Sequence, residues 1–591
     1  MSARGAARCT AGCLSAASSC RQIAGHKRVL PSQSASPTKT IQVRHSSTGA
    51  KTSSSRSLVW IRCLFSSGSV SVGRRLSSTT AVAAAAKSAK PVTMMASASG
   101  MASGSAVVTV ATAGLMLAPF VDELDRIAPC FRIHGSQVRV LETPAEFYET
   151  LKTMIRGAEH RIFLSTLYIG KSETELINTL QTALRAKPAL KLSIVTDALR
   201  GTRESPAPSC ASLLAPLVAE FGADRVELRM YHTPNLTGLR RRCIPKRINE
   251  GWGLQHMKLY GVDDEIVLTG ANLSMDYFTN RQDRYHVFSS RDVTDFYWQL
   301  HSAVSSLSFQ VRPSPTAVDS FEMVWPDDNR APSPLEQPGA FVTAATGVLH
   351  GLVAPQKAAA AASPGADTSV YVLAQMTQLL RPDSSTERPA LTHVLQTLSR
   401  PDYAGSSWTF TAGYFNPAPS LTKLLLSTAA ATGTVITASP YANGFYRSPG
   451  VSGMLPDAYT FLAHRFLKAA DRTATSAITL KEWRRGTVGQ LGGWTYHAKG
   501  LWITLPGEMS PAMTLVGSSN YTKRSYTLDL EANALVVTRN AALQARLGAE
   551  ESWLQTYAQP VSRDDFAQPE RRVRAHVRLA MWIVQALGGA L

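Results

Sequence analysis

The stretch QHMKLYGVDDEIVLTGANLSMDYFTNRQDRY, residues 255 to 285, opens with a histidine and a lysine two positions apart, His256 and Lys258. A second stretch, YHAKGLWITLPGEMSPAMTLVGSSNYTKRSYTLDLE at 496 to 531, repeats that spacing with His497 and Lys499. The correspondence continues downstream. TGANLS supplies Gly270 and Asn272, and VGSSN supplies Gly517, Ser518 and Asn520. Eleven residues past each asparagine stands an acid, Asp283 in the first copy and Glu531 in the second. The His-to-Asn distance differs, 16 against 23, but the seven extra residues fall in PGEMSPA (506–512), a turn-rich hairpin tip that tolerates insertion. Such a duplication predicts two lobes with one H-x-K each.

The flanks repeat as well. Upstream of the first pair, apolar periods predict a strand at 161–170, a helix at 173–186, a strand at 191–198, a helix at 210–221 and a strand at 225–232. Upstream of the second pair the same order recurs: strand 407–415, helix 419–430, strand 434–441, helix 457–470, strand 477–485. Strands alternating with helices imply parallel βαβ units. The expected fold class is therefore α/β, with two lobes (118–309 and 369–561), each a mixed, mostly parallel sheet flanked by helices, and the site at the lobe interface. Residues 310–368, rich in Pro and Ala, read as a connection, and 562–591 as a helical tail.

The net charge of +19 sits mostly at the front: Met1 to Val121 holds 14 Lys or Arg and no acid, whereas the remaining 470 residues carry 47 basic and 42 acidic groups. A near-neutral body argues against nucleic acid as a partner. The first 117 residues, rich in Ser, Ala and Arg, have the composition of an organelle transit peptide or disordered tail, with amphipathic fragments such as SLVWIRCLF (57–65). A mitochondrial location is expected. Four of the seven cysteines (Cys9, Cys13, Cys20, Cys63) lie there, and Cys130, Cys210 and Cys243 have neither disulfide nor metal-ligand spacing. The segment 105–120 is too short and β-branched to span a bilayer, and 577–591 reads as an amphipathic helix docked on the body or touching a membrane.

On a strand, side chains at i and i+2 share a face, so each His–Lys pair should point one way. Two lobes meeting at those faces would gather two His, two Lys and two Asn around one cavity, which suits a phosphodiester. The lysines and amides would hold non-bridging oxygens, one imidazole would attack phosphorus and the other would protonate the leaving oxygen. The acid eleven residues past each Asn is expected to orient a ring, with Glu531 assigned to His497.

These residues resemble the phospholipase D superfamily, whose signature is H-x-K-x4-D followed by a G-x-N segment in each lobe. Within it, YHTPNLTGLRRRCIPKRINEGWGLQHMKLY (231–260), GANLSMDYFTNRQDRY (270–285), SPYANGFYRSPG (439–450) and YHAKGLW (496–502) are similar to the eukaryotic phosphatidylglycerophosphate synthases. That resemblance covers roughly 118 to 561. It implies a two-step transfer of a phosphatidyl group from CDP-diacylglycerol to glycerol 3-phosphate, with His256 as nucleophile, His497 as acid and base, and neither cofactor nor metal. It also implies peripheral contact with an anionic membrane, the mitochondrial inner one. Hydrolysis by a phospholipase D or nuclease, or transfer to serine or phosphatidylglycerol, uses the same residues and stays open at this level. The signature aspartate, Asp263, joins the site candidates, although its counterpart is Thr504 and a turn role fits it better.

Weaker candidates surround the core set. Arg200 and Arg203, at a strand's C-terminal end, could grip the acceptor phosphate or the CDP pyrophosphate. The basic run Arg240, Arg241, Arg242, Lys246 and Arg247 suits anionic headgroups or is a solvated loop. IGKS (169–172) matches the end of a phosphate-binding loop, but Ser165 stands where the first glycine is needed.

Overall fold

The computed structural model describes residues 103 to 586 except 247, 357–363 and 475–476. The expected transit segment up to residue 102, its four cysteines and most of the Ala run at 357–366 lie outside the described residues.

The predicted strands and helices fold where the apolar periods place them. Arg161–Ser165, Lys191–Asp197 and Val226–Tyr231 pair in parallel, as do Ser407–Ala412, Thr432–Ala438 and Ala477–Trp483. Arg161–Ser165 and Lys191–Asp197 are buried along nearly their whole length, as expected of strands covered on both faces. The first crossover helix, Thr174–Ala186, turns Leu176, Ile177, Leu180 and Leu184 inward at helical spacing. The second, Cys210–Phe221, starts at a Ser209–Ser212 capping box and ends at Gly222, whose φ of 82° suits only glycine comfortably.

Each lobe is built on a nine-stranded sheet. The first runs, edge to edge, Phe321–Val324, Phe309–Pro313, Val226–Tyr231, Lys191–Asp197, Arg161–Ser165, Leu259–Val262, Glu265–Thr269, Tyr285–Ser289 and Val138–Leu141. The second runs Cys130–Ile133, Thr368–Gln375, Glu531–Thr538, Met513–Gly517, Lys499–Thr504, Ser407–Ala412, Thr432–Ala438, Ala477–Trp483 and Ala558–Pro560. Eight strands correspond one to one in order. In both sheets only the crossover triplet is parallel; the other pairings are antiparallel. The sheets are thus mixed, with fewer parallel pairs than the alternation suggested.

Three apolar layers hold the lobes together. Helices on the outer faces close one core per lobe. Between the sheets, Phe296, Leu300 and Val304 of helix Arg291–Ser305 and Leu543, Leu547 and Leu554 of helix Ala541–Gln555 share a third core with strand residues of both lobes. Removing one such leucine to alanine would cost about 2–5 kcal/mol.

Two expected boundaries are corrected. Residues 310–368 are not a mere connection: Phe309–Pro313 and Phe321–Val324 extend the first sheet, and helix Pro338–Val353 buries Phe341, Ala345 and Leu349 in the shared core. At the front, helix Ser103–Ile127 crosses residue 117 and buries Leu117, Phe120 and Leu124 against second-lobe residues, and Cys130–Ile133 joins the second sheet. The tail helix Ala575–Ala586 docks Val577 and Met581 near Ala458, leaving Leu579 and Trp582 exposed. No helix among the described residues is long and apolar enough to cross a membrane.

Candidate active site

Both histidines sit where one lobe's backbone pairs with the other's. Gln255 bridges Leu530 in parallel, and Thr495–Tyr496 forms a short parallel ladder with Arg281–Gln282. His256 N–H donates to Leu530 O at 2.9 Å, and His497 N–H donates to Gln282 O at 2.8 Å. The next residue on each partner segment is an acid. The register therefore hands each histidine the acid of the opposite lobe.

His256 Nδ1 lies 3.0 and 2.9 Å from the two Glu531 oxygens, and His497 Nδ1 lies 2.6 Å from Asp283 Oδ2. This overturns the expected pairing of Glu531 with His497. An Nδ1–H held by a carboxylate leaves the Nε2 lone pair of each ring for chemistry. Ser518 Oγ donates to Glu531 Oε2 at 2.6 Å, fixing the carboxylate. Gly270 lies so close to Asp283 that a Cβ would stand 2.7 Å from its Oδ1 and 2.9 Å from Lys499 Nζ. Gly517, at φ 152°, leaves equally little room beside Asn533.

The lysines complete a charge-matched set of two acids and two ammonium groups. Neither histidine lies within a strand; each immediately precedes or shortly precedes one, and Lys499 opens Lys499–Thr504. Lys258 Nζ donates to His256 O at 2.7 Å, while Lys499 Nζ lies 2.8 Å from Nδ1 and 3.2 Å from Nε2 of His497. Burial, reinforced by Lys258, holds His256 well below the usual imidazole range. Burial, then Lys499 and Arg281, does the same for His497, which also feels the charge of His256. Burial raises Asp283 to about 6 and Glu531 to about 7, against the pull of the lysines. It lowers both lysines. A bound phosphate would oppose that lowering by supplying the missing negative charge.

Asn272 Nδ2 donates to Tyr277 OH at 3.2 Å, and Tyr277 OH is 3.3 Å from His497 Nε2. The Oδ1 of Asn272 is buried without a partner, a polar atom waiting for a donor. Asn520 is half-buried at the matching turn.

A solved structure of phosphatidylserine synthase from Haemophilus influenzae superposes with a TM-score of 0.61 at 17% identity, covering 81% of this chain and 98% of that one. The fold is thus the phospholipase D-like one. Among proteins of known sequence, CDP-diacylglycerol–glycerol-3-phosphate 3-phosphatidyltransferase of Saccharomyces cerevisiae is 44% identical over 77% of this chain and 89% of its own length. The Schizosaccharomyces pombe enzyme of that name is 41% identical over 74% and 93%. The Homo sapiens protein, whose name adds "mitochondrial", is 36% identical over 78% and 84%. The chain belongs to this phosphatidyltransferase family. No family model matches it.

Not every candidate reaches the centre. Asp263 is a turn residue at φ 48° whose carboxylate accepts N–H groups of Glu159, His160 and Arg161, so it leaves the catalytic set. Arg203 is engaged by Glu250, and Arg200 lies 4.2 Å above the Tyr168 ring with Glu204 beside it. Neither guanidinium contacts the histidines. Two charged groups that do bear on the rings went unread. Arg281 pairs with Asp276 at 3.1 Å and acts on His497; Asp529 pairs with Arg524 at 3.0 Å and acts on His256. Their signal lay in the duplication: four and nine residues past each asparagine stand Asp and Arg in the first copy, Arg and Asp in the second.

Proposed function

We propose that the crossed dyads carry out phosphatidyl transfer from CDP-diacylglycerol to glycerol 3-phosphate in two displacements at one phosphorus. Nε2 of His256 attacks the phosphorus bearing the diacylglycerol. The bond to CMP breaks, and His497, protonated at Nε2 when the negative charge of the diphosphate binds beside it, gives that proton to the departing oxygen. His497 then takes the proton of the 1-hydroxyl of glycerol 3-phosphate, whose oxygen attacks phosphorus and breaks the P–N bond. Phosphatidylglycerophosphate leaves, and His256 is restored. Lys258, Lys499 and Asn272 would hold the non-bridging oxygens as charge builds on them.

The observation that carries this reading is the reciprocal hydrogen bonding of each imidazole to an acid of the other lobe. It makes the centre depend on both copies and turns Nδ1 of each ring, not Nε2, to a carboxylate. Family membership supplies donor and acceptor. Release of labelled CMP tests it: release that requires glycerol 3-phosphate supports transfer, and equal release without it would refute transfer in favour of hydrolysis.

The enzyme works on a bilayer-resident lipid, and we place it in the mitochondrion, on the inner membrane as a peripheral protein without nucleic-acid partners. Support comes from the mitochondrial names of the animal relatives, the acid-free first 121 residues and the near-neutral remainder. Exposed Leu579 and Trp582 beside Arg578 give the tail helix a surface suited to a headgroup layer.

A further inference from the structure

The short helix Gly238–Cys243 lies over a cavity of about 730 Å³ in the first lobe, with Arg241, Arg242 and Lys246 at its walls. The remaining lining includes His232, directly after strand Val226–Tyr231, and the apolar side chains of Leu239 and Met323. None of the residues of the crossed dyads lines it. Leu199, one of the lining residues, packs with Leu236 and Leu254 in a small apolar cluster of its own.

Two features point to a ligand. His232 is 4% exposed, and its Nδ1 lies 2.9 Å from Thr233 O, which makes that nitrogen the donor. Its Nε2 is buried with no partner. Burial holds the ring down to about 4, with Arg241 adding to the effect, so Nε2 is an acceptor that needs a hydroxyl or amine. The second feature is the rim. Leu239 is 77% exposed and Ile248 57% exposed on the same short segment as the arginines, an arrangement that places cations at headgroup level and apolar side chains in the acyl boundary.

We propose that this cavity is a second lipid site, taking the headgroup of an anionic glycerophospholipid whose phosphate meets Arg241, Arg242 and Lys246 while a headgroup hydroxyl donates to His232 Nε2. It would hold the first lobe on the membrane beside the centre without taking part in transfer. The inference rests on the reading that the enzyme works at a membrane surface.

Full-length protein and vesicles test it. Wild type should sediment with phosphatidylcholine vesicles containing phosphatidylglycerol, whose headgroup carries a phosphate and free hydroxyls. The exposed double variant Arg241→Glu/Arg242→Glu should bind them about tenfold more weakly while turning over detergent-dispersed substrate at the wild-type rate. His232→Phe should weaken binding to phosphatidylglycerol vesicles about threefold and leave binding to phosphatidic acid vesicles unchanged, because phosphatidic acid has no headgroup hydroxyl beyond its phosphate. Unchanged vesicle binding by the arginine variant would overturn the site while membrane contact stands. If wild type binds no vesicles at all, the membrane reading falls with it. Displacement of the protein from vesicles by millimolar glycerol 3-phosphate would overturn the lipid assignment in favour of a soluble phosphate ester.

Discussion

The two halves of the centre share one hydrogen-bond plan and differ in their electric surroundings. His256 faces Glu531, with Asp529 nearby; His497 faces Asp283, with Arg281 nearby and Lys499 against its ring. Part of the difference comes from an inverted ion pair, Asp276 with Arg281 in the first copy and Arg524 with Asp529 in the second, with Arg524 offsetting some of the effect of Asp529 on His256. A ring that becomes cationic on phosphorylation is favoured beside Asp529. A ring that must release a proton to CMP is favoured beside Arg281, which disfavours its charged form. Duplication supplied two equivalent imidazoles, and the inversion makes them unequal in the direction the proposed roles require.

The sharpest way to break this asymmetry is to remove each ring in turn. His256→Ala should lower kcat by about 10⁴-fold or more, since no nucleophile remains. His497→Asn should be similarly slow but should accumulate label. CMP is a good leaving group and needs an acid less than the glycerol hydroxyl needs a base, so a phosphatidyl group carried on His256 should survive rapid denaturation. Label retained by His256→Ala instead would reverse the assignment.

Removing the acids tests whether the pairing is truly crossed. Glu531→Gln and Asp283→Asn should each cost about 10²- to 10⁴-fold, as for other carboxylates that orient a catalytic imidazole. Glu531→Gln should slow the first-turnover release of CMP, acting through His256. Asp283→Asn should spare more of that phase and slow the acceptor step. The opposite result would mean that each acid serves its own lobe. The pH profile adds a sign. Burial raises Glu531 to about 7 and Asp283 to about 6, so protonation of the dyads should remove activity as pH falls through that window. Glu531→Gln should displace the acid limb of kcat/KM toward lower pH.

This crossing was the least legible feature in the sequence. The duplicated H-x-K, Asn and acid identified every member of both dyads, and apolar periods placed the strands and helices around them, because those signals are local. Which acid serves which ring depends on pairing between segments 275 and 214 residues apart, and equal offsets within each copy favoured the wrong partner. The N-terminal strand Cys130–Ile133 escaped for the same reason: its four residues carry no mark of a sheet otherwise made from the second copy. Arg203 looked available because its strand position suits a phosphate, and only the tertiary contact with Glu250 takes it away.

The crossed register is itself held by a buried clamp, which gives a smaller effect read in stability. Arg284, the residue after Asp283, donates from Nε and Nη2 to Glu550 at 2.9 and 2.8 Å, from Nη1 to Leu515 O at 2.7 Å, and stacks 3.7 Å from the centroid of Trp502. All three partners belong to the second lobe. Arg284→Met should cost about 3–5 kcal/mol by leaving the buried Glu550 with only His286 and Trp502 as partners, lowering the urea midpoint. Adding Glu550→Leu should recover much of that loss. No recovery would mean that the guanidinium contributes through Leu515 and Trp502 more than through the ion pair.

Tyr277 sharpens the comparison at the smallest scale. It stands five residues past Asn272, and the matching position past Asn520 is Ser525, whose hydroxyl is 3.2 Å from Thr522 Oγ1 and belongs to its own turn. Only His497 therefore has a phenol at Nε2, 3.3 Å away. Burial raises Tyr277 well above the ordinary tyrosine range, so the phenol keeps its proton and donates. Once His497 has given its proton to CMP, that bond occupies the lone pair it needs as a base, and the arriving glycerol hydroxyl must displace it. Tyr277→Phe removes a hydrogen bond of about 1 kcal/mol and should change steady-state turnover about fivefold, with first-turnover CMP release nearly unaltered. An equal change in both phases would show that the tyrosine supports the whole pocket instead of acting on one ring.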